Sequence, residues 1–399
     1  MPRRALMATQ ARLELRYGTN PHQKPAAVLT AGEKLPFRVL NGAPSAINVL
    51  DALLAWNLVR ELREGLELPA AASYKHLSPA GAGLGVPLPD DLRESYFVGD
   101  LELSPVANAY ARARGADRLC SFGDCVAISD VVDEPAAALL AQEVSDAVIA
   151  PGYEPAALEL LKEKKRGNYL VLEADPEVGL PKIERRDLLG VTLEQPLNDA
   201  RLTIDDLRAG IVTENRELPD EAARDLLLAT IALKYTQSNS ITIALGGQLV
   251  GVGCGQQSRI HCVQLAANKA QLWHLRRSPL VQALPFREGI GRPERDNAID
   301  LYLRGEMTAK EREAWLASFS QEPRSLTPEQ RSDSLARLEG MSLSSDAFIP
   351  FRDTIDRAAA VGVGYVAQTG GSIRDGEVTE AANEYGLLMT CTGVRLFTH

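Results

Sequence analysis

The chain has 399 residues, 45% hydrophobic and 24% charged, with a formal net charge of −10. That composition supports a large apolar core divided over two or three compact units, and the acidic balance argues against general nucleic-acid binding, which needs a basic surface. No run approaches the roughly 18 consecutive apolar residues that cross a bilayer, so no membrane partner is expected.

The clearest predicted element is a helix over residues 45–64, capped by Ser45, with Ile47, Leu50, Leu54, Leu58 and Leu62 at spacings of three and four. Ala70 to Tyr74 reads as a buried strand. It ends at Lys75-His76 and enters a loop of Ser, Pro and Gly (HLSPAGAGLG). The basic run Ala111 to Arg118 reads as the solvated end of a helix. A faint repeat pairs SDAVIAPGYEPAALELL, from Ser145, with SDAFIPFRDTIDRAA, from Ser345, and favours a duplicated α/β architecture. Residues 174–200 read as a connector. A helix near 221–235 leads into TQSNS and the strand SITIAL, and Gly246-Gly247 turns the chain back into QLVGVG. The charged stretch 290–340 has no counterpart in the first half and reads as a helical insertion.

Cys120, Cys125, Cys254, Cys262 and Cys391 are odd in number and never spaced C-x-x-C. They read as free thiols of a reducing, cytoplasmic compartment, and the basic N-terminal residues lack the apolar run of a secretory signal.

Lys75-His76 is the strongest candidate for chemistry, because strand ends beside Gly/Pro loops are where α/β proteins tend to place active sites. An imidazole takes a proton near neutrality and an adjacent ammonium stabilises a developing oxyanion; a surface Lys-His dipeptide is the other reading. Arg16 to Gln23 (RYGTNPHQ) suits a phosphate and a stacked heterocycle, or a polar loop. Gly255 to Cys262 (GQQSRIHC) places Arg259 at a helix start, which attracts anions, or is an ordinary capped start. Arg395 is a phosphate clamp or a tail charge. The zinc-deaminase pattern H-x-E with P-C-x-x-C is missing, as are the phosphate loop, the nucleophile elbow and the dinucleotide fingerprint, so no zinc and no metal-ligating side chains are expected.

In order along the chain, RYGTNPHQ, LNGAPSAINVLDALLAW, SYKHLSPAGAG, YARARGADRLCSFGD, VSDAVIAPGYE, KYTQSNS, GQQSRIHC, SDAFIPFRD and RLFTH resemble the AICAR transformylase domain of the bifunctional purine-biosynthesis family that also carries IMP cyclohydrolase. The resemblance runs from about Leu15 to His399. It implies two cytidine-deaminase-like α/β/α units without zinc, expected over 1–180 and 181–399, with the helical insertion in the second. It also implies a homodimer with active sites at the interface, and transfer of a formyl group from 10-formyltetrahydrofolate to AICAR. The cyclohydrolase region is expected to be absent and ring closure to fall to a separate protein. The resemblance casts Lys75, His76 and Asn239 as catalytic. It sets Arg16, Tyr17, Gly123, Asp146, Arg259, Phe348 and Arg395 against the nucleotide, and Ile260, Asp353, Thr354, Ser372 and Ile373 against the folate. By the same analogy a monovalent cation such as K+ binds near the site. A catalytically silent AICAR-binding regulatory protein, or a formyltransferase using another donor, are the competing readings.

Overall fold

The computed structural model describes residues 11–30 and 34–399. It is a mixed α/β structure with two main sheets. The first has six strands in the order 37–41, 170–174, 145–150, 124–128, 70–75, 78–84; the second has five, in the order 249–253, 241–244, 341–345, 363–368, 388–391. Reading inward from one edge, each sheet carries an antiparallel hairpin, then a strand antiparallel to it, then two more parallel to that one. The first sheet adds Phe37–Asn41 at the far edge.

Each hairpin follows a long helix, Ala46–Leu66 in the first case and Asp220–Leu233 in the second. These two helices share one apolar cluster between the sheets, so the halves have a common core. Leu58, Val59 and Leu62 of the first helix are fully buried there, each worth about 1.5–3 kcal/mol. Leu50, expected on the apolar stripe, is exposed, and the buried face runs instead through Val49, Ala52, Ala55 and Trp56. The reason is close packing: alanines on that face let the helix approach the sheet.

The Ser/Pro/Gly run after Lys75-His76 is not a loop but the second hairpin strand, Ser78–Leu84. Its glycines are there for the neighbouring helix Pro105–Gly115. A Cβ on Gly81 would lie 2.3 Å from the Ala113 carbonyl oxygen and one on Gly83 2.5 Å from the Arg112 Cβ. The second sheet repeats this against helix Arg259–Arg276, where a Cβ on Gly251 would lie 2.1 Å from the Ala266 oxygen and one on Gly253 2.0 Å from the Cys262 oxygen. The Ser-Asp-Ala match is out of step with this parallel. Ser145 begins a strand flanked on both sides by parallel neighbours, whereas Ser345 ends the strand that pairs with the hairpin.

Two further expectations are corrected. The 174–200 connector contains an exposed two-stranded ribbon, Ile183–Leu188 with Val191–Pro196. The basic run is buried rather than solvated: Arg112, Arg114 and Arg118 are each 3–4% exposed. Arg114 and Arg118 are tolerated because they are ion-paired, whereas Arg112 donates to the Val86 and Pro87 carbonyls at 2.9 and 2.7 Å and to Gln248 Oε1 at 3.2 Å. Arg118 binds Glu143 at 2.9 Å and Asp296 at 2.9 Å, and Arg114 lies 3.1 Å from Asp124. Asp296 belongs to helix Arg292–Arg304, one of three helices between 290 and 340 that with Pro279–Gln282 surround their own apolar cluster. The arginines thus fasten this segment to the first sheet. All five cysteines are free thiols. Among the described residues no helix is long and apolar enough to cross a membrane.

Candidate active site

Lys75 pairs with Ser78, leaving His76 and Leu77 as a two-residue turn with φ values of 53° and 61°. Two successive left-handed residues make the tight turn whose twist matches flanking antiparallel strands. For residues with a Cβ this conformation costs about 1–2 kcal/mol apiece, so the surroundings must hold it. Asp51 of helix Ala46–Leu66 accepts the Leu77 amide at 2.8 Å. Burial pushes the Asp51 carboxyl up, and the Leu77 and His76 amides pull it partly back. On the other side, Tyr74 Oη donates to the Tyr235 carbonyl at 2.6 Å and the Gln237 amide donates to Ser78 Oγ at 3.1 Å. The turn is therefore pinned beside the 235–239 segment, with the His76 side exposed.

Lys75 Nζ donates to the Phe122 carbonyl at 2.6 Å. Gly123 follows with φ +74°, and a Cβ there would lie 3.8 Å from Asp146 Oδ2. Asp146 in turn pairs with Lys165. Lys75, Gly123 and Asp146 thus share one edge of the first sheet. It is the edge where the parallel strands Asp124–Ile128 and Ser145–Ala150 begin, opposite to the carboxyl-terminal edge expected from other α/β proteins.

The second sheet meets this edge with the other kind of end. Asn239 lies just before strand Ile241–Ala244, whose start pairs with Ser345, the last residue of its strand. Asp346 follows and is fully buried. Its Oδ2 accepts from Ser238 Oγ at 2.6 Å, the Ser240 amide at 2.9 Å and Ser240 Oγ at 2.9 Å, while Oδ1 pairs with Arg259. One carboxylate thereby fixes both residues flanking Asn239. Arg259 is 7% exposed; Nη1 also donates to the Ser240 carbonyl at 2.8 Å, and Nη2 reaches Asn239 Oδ1 at 3.3 Å. Its Nε is buried without a hydrogen-bond partner. Arg259 is therefore as much a keystone of the cluster as a donor to a ligand. The C-terminal tail closes the group: the Leu396 amide donates to the Asp346 carbonyl at 2.8 Å, beside an exposed Arg395 whose guanidinium lies 4.9 Å from the Phe397 ring.

Arg16 and Tyr17 pack at the start of helix Ala46–Leu66. Arg16 Nη2 reaches Asn48 Oδ1 at 3.4 Å, its guanidinium lies 5.4 Å from the Tyr17 ring, and the Tyr17 carbonyl accepts the Ala46 amide at 3.2 Å. This places them one helical turn before Asp51. Phe348, expected on the nucleotide side, is exposed at 44%; of the folate-side residues Ile373 is exposed at 103% and Asp353 is also exposed. Ile260 is half-buried against the core and Ser372 Oγ accepts the Arg374 amide at 3.1 Å. Thr354 is fully buried, so a surface-bound ligand does not reach it in this conformation. A cavity of about 290 Å³ lies elsewhere, walled by Lys269, Trp273, Asp296 and Ile299, and includes none of these residues.

Asp51, Tyr74, Gln237 and Asp346 were not singled out from the sequence, yet they hold the site. For Asp51 a signal existed: an acid one turn before Ala55 and two before Leu58, on the buried side of an amphipathic helix. Nothing comparable marks Gln237.

A mixed α/β protein is thus defined whose candidate site joins a strained hairpin turn on one sheet to a carboxylate-centred loop cluster on another. The family described as AICARFT/IMPCHase bienzyme matches residues 1–269. Two relatives called bifunctional purine biosynthesis protein PurH, from Xanthomonas campestris pv. campestris strains 8004 and ATCC 33913, are each 31% identical over 393 residues, covering 97% of this chain and 58% of the relative. The chain belongs to the AICARFT/IMPCHase bienzyme family, and it spans 58% of the length of these relatives.

Proposed function

We propose that this protein transfers the formyl group of 10-formyltetrahydrofolate to the 5-amino group of AICAR, giving FAICAR and tetrahydrofolate in purine biosynthesis. The observation that carries the reading is the hairpin turn bearing His76, pinned through Tyr74 and Ser78 to the segment that leads into Asn239. The family and the purine-biosynthesis relatives support the same substrate.

The 5-amino group is a weak nucleophile because its lone pair delocalises into the ring and carboxamide. In the proposed reaction His76 takes its proton as the nitrogen attacks the formyl carbon. The new C–N bond forms, the bond from carbon to N10 breaks, and N10 accepts a proton. Lys75 and Asn239 face the charge that develops on the formyl oxygen; one such donor is typically worth about 3 kcal/mol. Arg16, Tyr17, Gly123, Asp146, Arg259, Phe348 and Arg395 seat the nucleotide, and Ile260, Asp353, Ser372 and Ile373 flank the folate.

The shared hairpin, helix and glycine plan of the two sheets supports a duplication of a cytidine-deaminase-like unit. Exposed Phe348, Phe351 and Ile373 fit burial by a second copy in a homodimer. A monovalent cation near the loop carbonyls belongs to the same reading. The deciding assay follows tetrahydrofolate release from purified protein with and without AICAR, and no AICAR-dependent release overturns the proposal. Continuing it to IMP tests whether ring closure needs a separate protein.

A further inference from the structure

The two hairpins end in the same device. In the second, the turn is Gly246-Gly247, with φ values of 63° and 81°. Asp225 accepts both turn amides there, Gly246 at 2.6 Å and Gly247 at 2.8 Å. In the first, Asp51 accepts the Leu77 amide at 2.8 Å. Both acids are buried. Both stand five positions after the first residue of the helix that precedes the hairpin, 46 to 51 and 220 to 225. A carboxylate clamp beneath a left-handed turn is thus present twice, once under glycines and once under a histidine and a leucine.

Glycine adopts this turn without steric cost, whereas histidine and leucine leave it unless held. We infer that Asp51 is a positioning residue for His76: by binding the Leu77 amide it locks the turn and fixes the direction in which the imidazole leaves the backbone. The inference rests on the formyl-transfer reading. Asp51 touches no reacting atom; it acts through backbone geometry, and a displacement of about 1 Å at a reacting group can cost on the order of a hundredfold in rate.

The test compares Asp51→Ala, Asp51→Asn and Asp225→Ala in the full chain. Asp51→Ala is expected to lower kcat by about ten- to a hundredfold while the AICAR KM changes less than about threefold, since the nucleotide contacts remain. Asp51→Asn keeps an acceptor oxygen and should restore kcat to within about threefold of the parent. Asp225→Ala, which unclamps the glycine turn, should lower thermal stability and leave kcat unchanged. Equal kcat losses in Asp51→Ala and Asp225→Ala would reduce the effect to general destabilisation and overturn the inference, as would an unaffected kcat in Asp51→Ala. Failure of Asn to rescue would replace the hydrogen bond by a charge effect and overturn it too. Amide hydrogen exchange at Leu77 reads the clamp without catalysis. Faster exchange in Asp51→Ala supports it and unchanged exchange sinks it, whereas an inactive parent protein would count against the formyl-transfer reading alone.

Discussion

The hairpins Ala70–Leu84 and Ile241–Gly253 are built alike, with a preceding helix over one face, paired glycines under a following helix and an acid beneath the turn. They differ in what the turn carries. Where only a change of direction is needed, the chain uses Gly246-Gly247 and stores no strain. Where an imidazole is presented, it uses His76-Leu77 and holds the unfavourable backbone with bonds to Asp51, Tyr235 and Gln237. The sheets also contribute opposite ends to the candidate site, strand starts from the first and strand ends from the second. The lesson is that a repeated plan acquires chemistry by tolerating a local cost in one copy.

The largest predicted effect breaks the comparison at its functional turn. His76→Ala should lower kcat by about 10²- to 10⁴-fold while calorimetry still detects AICAR, and retained turnover would remove His76 as the general base. Next, Arg259→Ala leaves the fully buried Asp346 without its cation. That should cost about 3–5 kcal/mol of stability in denaturant unfolding, in addition to weakening AICAR binding. A loss of affinity with unchanged stability would make Arg259 a ligand donor alone.

The tie between the 290–340 segment and the first sheet gives a pH-dependent test. Burial by itself would raise the Glu143 carboxyl, but Arg118 and Arg114, with Arg292, overcome this and hold it at about 2 rather than the ordinary 4.5. A depressed carboxylate stabilises the fold above its unfolded value, and this contribution fades as pH falls from about 4.5 towards about 2. Glu143→Gln should therefore cost about 3 kcal/mol near neutrality and progressively less in acid, read as denaturation midpoints across pH. The smallest effect sharpens the glycine side: Gly246→Ala, at φ +63° with no near contact except Arg112 at 4.0 Å, should lose about 1 kcal/mol and keep full turnover. A drop in turnover would mean that the second turn is not merely a connection.

Much of the fold was legible along the chain. The helix over 45–64, the strand at 70–74 and the glycine-turned hairpin after TQSNS all announce themselves by period and turn chemistry, and the structure has them at Ala46–Leu66, Ala70–Lys75 and Ile241–Gly253. The glycines of SPAGAGLG misled because a glycine that admits a helix backbone looks in sequence like one that admits a loop. The arginines of ARARGADR misled because their acidic partners include Asp296, far along the chain. A Ser-Asp-Ala match suggested a repeat in the wrong register, while the G-x-G pairs at 81–83 and 251–253 carried the matching one.

The sequence by itself determined which residue types were at hand, because motifs such as SYKHLSPAGAG and KYTQSNS are strings of neighbours. Tertiary structure alone decided that the His76 turn lies against residues 235–239, that Arg259 is buried on Asp346, and that the sheets face the site with opposite ends. These relations join residues about 87 to 161 positions apart. Hydrogen bonding and burial depend on distance in space, which no local pattern encodes.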